Sequence, residues 1–294
     1  MNDLLYCCKM RDESGSFEAA AELFNALEFE FSSWENREER TVYHTVYATG
    51  PEAGRDNFER LKTLVREWRE YGVELSEPEY FELKKEDWAE VWKKYFPILP
   101  ISDKLVIKPS WLEYTPKPGQ AVVEIDPGMS FGTGQHATTS FCLYVLDRLA
   151  GDLGVRGVLD AGCGSGILAI AAAKLGYDPV DAFDYDPDAV RIAAENFALN
   201  AITSIKPEVA DAAVYRGRQE GYDLVCANIL GHLLRAYKLN IASWVRPGKY
   251  LALAGILSTE FDALAAEYTA LGFCEIERRD EKEWTSGLFR KTEG

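Results

Sequence analysis

Between residues 158 and 176 the chain reads VLDAGCGSGILAIAAAKLG. An apolar run closes on Asp160, turns through Gly162, Gly164 and Gly166, and passes into an alanine-rich helical stretch. Glycines tolerate positive φ and lack a Cβ, so a ligand can lie against the backbone where a helix begins and its N–H groups point outward. On its own such a loop also serves as a plain strand-to-helix turn. Asp184 adds weight, because it closes the next apolar run, in AFDYDPDAV, 24 residues after Asp160. An open α/β sheet places a carboxylate there to accept the two hydroxyls of a ribose. Asp186 and Asp188 read as caps of the helix that opens at Pro187.

Loop and carboxylate together fit a nicotinamide dinucleotide or S-adenosylmethionine. The glycine spacing favours the second. A pyrophosphate loop wants G-x-G-x-x-G, whereas GCGSG is G-x-G-x-G with Asp160 beside it. A carboxylate repels a diphosphate and attracts the amino group or sulfonium of S-adenosylmethionine. Further along, YDLVCANIL ends on Asn228, whose amide offers an acceptor and two donors suited to orienting an amine. Upstream, IDPGMSFGTGQHATTSF is a glycine-rich loop entering a helix, with Phe131, Thr133, His136, Thr138 and Thr139 as polar or pocket-forming side chains. His136 reads equally as a cap of that helix.

These residues need elements to position them. From Val155 onward, apolar strand-like runs at 157–159, 179–183, 206–209, 223–227, 250–254, 274–278 and 283–291 alternate with helical stretches at 167–175, 187–199 and 259–271. Such alternation is the mark of a doubly wound, mostly parallel α/β sheet. The last two strands have no helix between them, so an antiparallel hairpin is expected at the sheet edge. That hairpin is the second argument for a methyltransferase sheet over an all-parallel dinucleotide fold.

Residues 1–100 carry 13 Lys and Arg against 22 Asp and Glu, a net of −9. Their pattern, with strands at 4–8, 41–48 and 80–83 and helices at 16–27 and 57–71, suggests a small α+β sandwich of ferredoxin-like type. Phe58, Leu61, Leu64, Val65 and Trp68 share one face of the second helix. Residues 84–96, KKEDWAEVWKKYF, read as a linking helix with Trp88, Trp92 and Phe96 on one stripe, or else as a solvated spacer. Prolines at 97, 100, 109, 116 and 118 then keep the chain extended. The expected organisation is an N-terminal domain over 1–78, a linker helix over 79–100 and a nucleoside-binding domain over 101–294.

Across all 294 residues the formal charge is −16, which argues against nucleic acid or an anionic membrane as partner and for a basic protein or cationic substrate. None of the six cysteines forms a C-x-x-C pair, and three histidines give no zinc-ligand spacing, so no metal is expected. The N-terminus lacks a signal-peptide pattern and no apolar run is long enough to span a bilayer. A reducing, cytoplasmic location and a monomeric state are the expectation.

Taken together, the motifs resemble the PrmA family, enzymes that methylate amino groups of ribosomal protein eleven of the large subunit. The resemblance runs through VIKPSWLEY, DPGMSFGTGQHATT, LDAGCGSGILAIAAAKLG, DYDP, CANIL, RPGKYLALAGIL and the closing EW, with Met129, Ser130, Gln135 and Ala137 as departures in the second of these. It implies an N-terminal substrate-recognition domain, a linker and a class I S-adenosylmethionine-dependent methyltransferase domain. By motif position it places cofactor contacts on Thr139, Gly162, Asp184 and Asn228, with Gly164 and Gly166 in the same loop. Asn228 would orient the amine, with Phe131 and His136 beside it. The expected reaction is methyl transfer to a lysine of a basic ribosomal protein. The alternatives are another basic protein or a small-molecule amine, a binding module without turnover, and, more remotely, a nicotinamide oxidoreductase.

Overall fold

The computed structural model describes residues 4–13, 20, 23–24, 27, 29–36, 41–69, 72–84, 97–126 and 136–293. The chain divides into two compact units, 1–95 and 96–294.

In the first unit, strands β1 (Leu4–Asp12), β2 (Phe31–Asn36) and β3 (Thr41–Ala48) precede helix α1 (Pro51–Trp68) and strand β4 (Glu79–Lys84). They form an antiparallel sheet in the order β2-β3-β1-β4, the strand order of a ferredoxin-like sandwich. The first crossover of that arrangement, with the helix expected at 16–27, falls mostly outside the described residues. One sheet face packs Cys8, Met10 and Val46 against Leu61, Val65 and Trp68 of α1. Those helical positions are four and three residues apart, which keeps them on one stripe. Pro51 at the first turn of α1 and Glu52 beside it suit a helix start. Because β4 supplies the edge strand beside β1, this unit extends past residue 78. The linking helix expected at 84–96 lies outside the described residues except at Lys84, which closes β4.

In the second unit, β5 (Leu99–Pro100), β6 (Leu105–Lys108) and β7 (Ala121–Glu124) form a small sheet, followed by α2 (Ala137–Leu149). Next come β8 (Val158–Ala161), α3 (Ile167–Lys174), β9 (Val180–Asp184), α4 (Pro187–Leu199), β10 (Glu208–Val209) and β11 (Tyr222–Asn228). Then α5 (Gly231–Ala236), α6 (Lys238–Trp244), β12 (Val245–Leu257), α7 (Ser258–Ala270), β13 (Phe273–Glu281) and β14 (Trp284–Lys291) complete the chain. The large sheet runs β10-β9-β8-β11-β12-β14-β13. Its first five strands are parallel, and β14 is antiparallel to both β12 and β13. The terminal hairpin therefore inserts its second strand beside β12, as expected from the missing helix.

Strands β8 and β11 are buried at almost every position, including Leu159, Val225 and Cys226. A parallel strand covered on both faces requires this apolar run. The order reverses between β8 and β11, with β9 and β10 on one side and β12 on the other. Doubly wound sheets bind ligands outside the carboxyl ends of their strands at such a switch point. Among the described residues, no helix is long and apolar enough to cross a membrane.

Candidate active site

At the carboxyl end of β8 the chain turns through glycines with φ of 75°, 51° and 79° at Gly162, Gly164 and Gly166. These left-handed conformations favour glycine. At Gly162 a Cβ would also fall 2.3 Å from Ile229 Cγ2, so the loop passes close to the segment after β11 only because no side chain is there. The Gly162 and Cys163 N–H groups donate to the Phe183 carbonyl at 3.0 Å, which ties the turn to β9.

Asp184, the last residue of β9, holds two backbone segments together. Its Oδ2 accepts the Gly164 N–H at 2.8 Å, and its Oδ1 accepts the Asp186 N–H at 3.0 Å. Asp186 in turn caps α4 by accepting the Asp188 N–H at 2.9 Å, the capping role its position suggested. Asn228 closes β11 and donates from Nδ2 to Thr139 Oγ1 at 3.3 Å, coupling the strand to the first turn of α2. His136 occupies the N-cap position of α2 without capping it through its side chain. Its Nδ1 shares a hydrogen with Thr138 Oγ1 at 2.8 Å, and its ring meets Trp284 edge-on at 5.2 Å. Burial lowers the His136 pKa below the ordinary histidine value, while Glu283 and Glu281 oppose that effect.

These side chains surround a cavity of about 720 Å³, within the usual range for small-molecule sites. Gly162, Gly164, Asp184 and Asn228 line it, with His136 and Thr138 at one side. Thr139 and Gly166 are not on its wall. Thr139 is buried and supports Asn228 from behind. Gly166 faces α4 instead, where a Cβ would fall 2.7 Å from Phe197 Cε1. Phe131 and Thr133 lie in 127–135, outside the described residues.

Sequence reasoning missed part of the wall. Tyr185 and Asp211 line it after β9 and β10, Leu233 lines it from α5, Tyr237 from the junction of α5 and α6, Ile241 and Trp244 from α6, and Trp284 enters from β14. Asp211 carried a signal, an acid just past a strand at the sheet's carboxyl end; α5 and α6 carried none.

The cavity fits a cationic nucleoside better than a dinucleotide. Its described wall contains Asp184 and Asp211 but no Lys or Arg to meet a pyrophosphate. Just below it, Asp160 is 1% exposed and its Oδ2 accepts the Ala169 N–H at 3.0 Å. Burial pushes the Asp160 carboxyl up to about 7, against the pull of that N–H and with a further push from Asp184. A diphosphate beside such a group would be repelled by its ionised form.

A parallel sheet with an inserted terminal hairpin, a glycine loop after its first strand and an acidic nucleoside cavity define a class I methyltransferase that uses S-adenosylmethionine. The family model described as "Ribosomal protein L11 methyltransferase (PrmA)" matches residues 14–292. The chain belongs to that family. A ribosomal protein L11 methyltransferase of Chloroflexus aurantiacus is 39% identical over 71% of this chain and 70% of its own length. One of Geotalea uraniireducens is 42% identical over 74% of this chain and 72% of its own. Among solved structures, a ribosomal protein L11 methylase from Lactobacillus delbrueckii subsp. bulgaricus aligns with a TM-score of 0.59 and 30% identity. That alignment covers 67% of this chain and 99% of the other.

Proposed function

We propose that this enzyme methylates amino groups of ribosomal protein L11, with lysine side chains as acceptors. The observation that carries the substrate is the family match over residues 14–292, which reaches into both units of the chain. A net charge of −16 suits a basic protein substrate and disfavours direct contact with nucleic acid. In this reading the N-terminal unit recognises the substrate, the segment within 79–100 connects the two units, and the enzyme acts as a cytoplasmic monomer. Six free thiols, five of them buried, accord with a reducing compartment.

When bound, S-adenosylmethionine supplies a methyl group already activated on a sulfonium. The protein's task is then alignment and desolvation. The backbone at Gly162 and Gly164 forms the floor of the donor site, and Asp184 accepts the ribose hydroxyls. Asn228, steadied by Thr139, orients the acceptor amine. A lysine amine, with an ordinary pKa near ~10.4, must first lose its proton. Apolar surroundings supplied by Leu230, Ile229 and Trp284 favour its neutral form. His136, whose pKa burial lowers below the ordinary histidine value, stands beside it at the cavity wall.

The test is incubation of purified L11 with the enzyme and S-adenosylmethionine, followed by intact-mass measurement and peptide mapping. The reading requires methyl increments on lysine residues, lost with Asn228→Ala at unchanged fold. Unmodified L11 under conditions where the enzyme binds the donor would refute it.

A further inference from the structure

An acceptor amine must enter the cavity from outside, and the sheet register shows what it passes. Asn228 of β11 pairs with Ala254 of β12, and Leu257, three residues further along β12, pairs with Trp284 at the start of β14. With a rise of about 3.3 Å per strand residue, Trp284 stands roughly 10 Å further out than Asn228. Its ring lines the cavity and meets His136 edge-on at 5.2 Å, and its indole N–H donates to Glu283 Oε1 at 3.1 Å. Two leucines carry this apolar edge onto the surface. Leu230, on the cavity wall just before α5, is 55% exposed, and Leu257 is 41% exposed. A single exposed leucine is ordinary, but two of them beside a tryptophan at a cavity mouth make an apolar collar.

Acids border the collar. Glu260, in the first turn of α7, reaches the start of α5, where a Cβ on Gly231 would fall 3.0 Å from its Oε2. Glu283 holds the Trp284 indole. Burial lowers the pKa of His136, and the charges of Glu283 and Glu281 oppose it, which sets both acids near that ring; Lys282 between them acts the other way. Among the described residues, no ion pair engages Glu260, Glu281 or Glu283. Asp280 nearby accepts the Thr285 hydroxyl at 2.6 Å. The arginines and the other lysine of this region are already matched: Arg278 by Asp262 and Glu275, Arg235 and Lys238 by Glu267. Acids therefore exceed Lys282 at the mouth, and the described cavity wall adds neither Lys nor Arg.

We propose that this mouth is a docking surface for a cationic segment of the acceptor protein. The methylene stem of the reacting lysine lies against Trp284, Leu230 and Leu257, and lysine or arginine side chains next to it meet Glu260, Glu281 and Glu283. A long basic side chain has an apolar stem and a charged head, and an apolar collar edged by carboxylates matches both parts. A neutral segment gains only the apolar contact, and an acidic one is repelled. The catalytic unit thus selects the surroundings of the amine by itself, in addition to whatever the N-terminal unit binds. This inference rests on a lysine of L11 being the acceptor.

Initial rates of the full enzyme on purified L11 test it. The triple variant Glu260→Gln, Glu281→Gln, Glu283→Gln should raise KM for L11 about tenfold at low salt, with kcat and donor Kd each moving less than about twofold. All three positions are exposed, and glutamine at 283 still accepts the indole hydrogen bond. The rise in KM should shrink below about threefold at about 1 M salt, where the Debye length is about 3 Å. Glu195→Gln, Glu220→Gln, Glu293→Gln removes as many exposed charges away from the mouth and should leave KM within about twofold. Leu257→Asn, which strips one side of the collar, should raise KM about threefold. Methylation of L11 with KM unmoved in the mouth variant, an equal rise in both triple variants, or a loss carried by donor Kd overturns the inference. L11 left unmodified by the wild-type enzyme would instead reject the substrate reading, and this inference with it.

Discussion

The two ends of one sheet treat their aspartates in opposite ways. At the carboxyl ends of β8 and β9, Asp160 and Asp184 meet backbone N–H groups and each other but no cation in any hydrogen bond described for them. At the amino end of the neighbouring strand β11, Asp223 accepts the N–H groups of Arg156 and Gly157 at 2.9 and 3.0 Å and the Arg246 guanidinium at 3.1 Å. Lys249 stands 3.8 Å away. Burial alone would raise Asp223, but the bonds from Gly157, Arg156 and Arg246 outweigh it and hold this carboxyl below the usual range. Asp181, at the same end of β9, is clamped by Arg218 and the Tyr222 hydroxyl. One end is fully compensated and stabilises the fold. The other holds its carboxyls with backbone N–H groups alone among the described hydrogen bonds.

The comparison breaks most visibly at Asp223. Asp223→Ala leaves two backbone donors and Arg246 without their acceptor, and should cost about 3 kcal/mol of stability in denaturant unfolding. Donor affinity of the folded variant should be unchanged. Asp184→Ala should do the reverse, weakening S-adenosylmethionine binding by roughly 1.5–3 kcal/mol in calorimetry through loss of a charged acceptor. Equal effects of the two substitutions on affinity would erase the distinction between the ends.

The pH dependence sharpens it further. Asp223 has a depressed pKa, so its contribution is present above the unfolded value near ~3.9 and is lost as pH falls through the lower folded value. Asp160 has a raised pKa, so its contribution is complete below ~3.9 and is lost as pH rises through about 7. Without donor, thermal unfolding of the protein should therefore show a decline from pH 5 to pH 8 that Asp160→Asn removes. Each kcal/mol should appear as about 2–4 °C in a domain of this size. The smallest expected change is at Thr139→Val, which removes the hydroxyl behind Asn228 and should lower kcat several-fold while moving donor Kd by less than about twofold. A large loss of donor affinity would instead put Thr139 in direct contact with the donor.

Much of this was legible from sequence, for identifiable reasons. Asp184 was found because a strand end, a turn and a capped helix fix where a carboxylate can sit, and the terminal hairpin because no helix fits between β13 and β14. Motif position did not reveal which way a side chain faces. Gly166 belongs to the glycine loop yet packs on Phe197, and Thr139 neighbours the wall residue Thr138 yet points behind it. Helices α5 and α6, six and seven residues long, are too short to show a helical period, so the wall formed by Leu233, Tyr237, Ile241 and Trp244 stayed hidden. The short strands β5 to β7 were masked by the prolines around them.

The contrast between the ends of the sheet is measured most directly by carbon-13 titration of the aspartate carboxyls in the donor-free protein, with signals assigned through Asp160→Asn and Asp223→Asn. The account predicts that the Asp160 signal titrates near 7 and the Asp223 signal below the ordinary aspartate value of 3.8. An Asp160 signal that titrates at or below that ordinary value would contradict it.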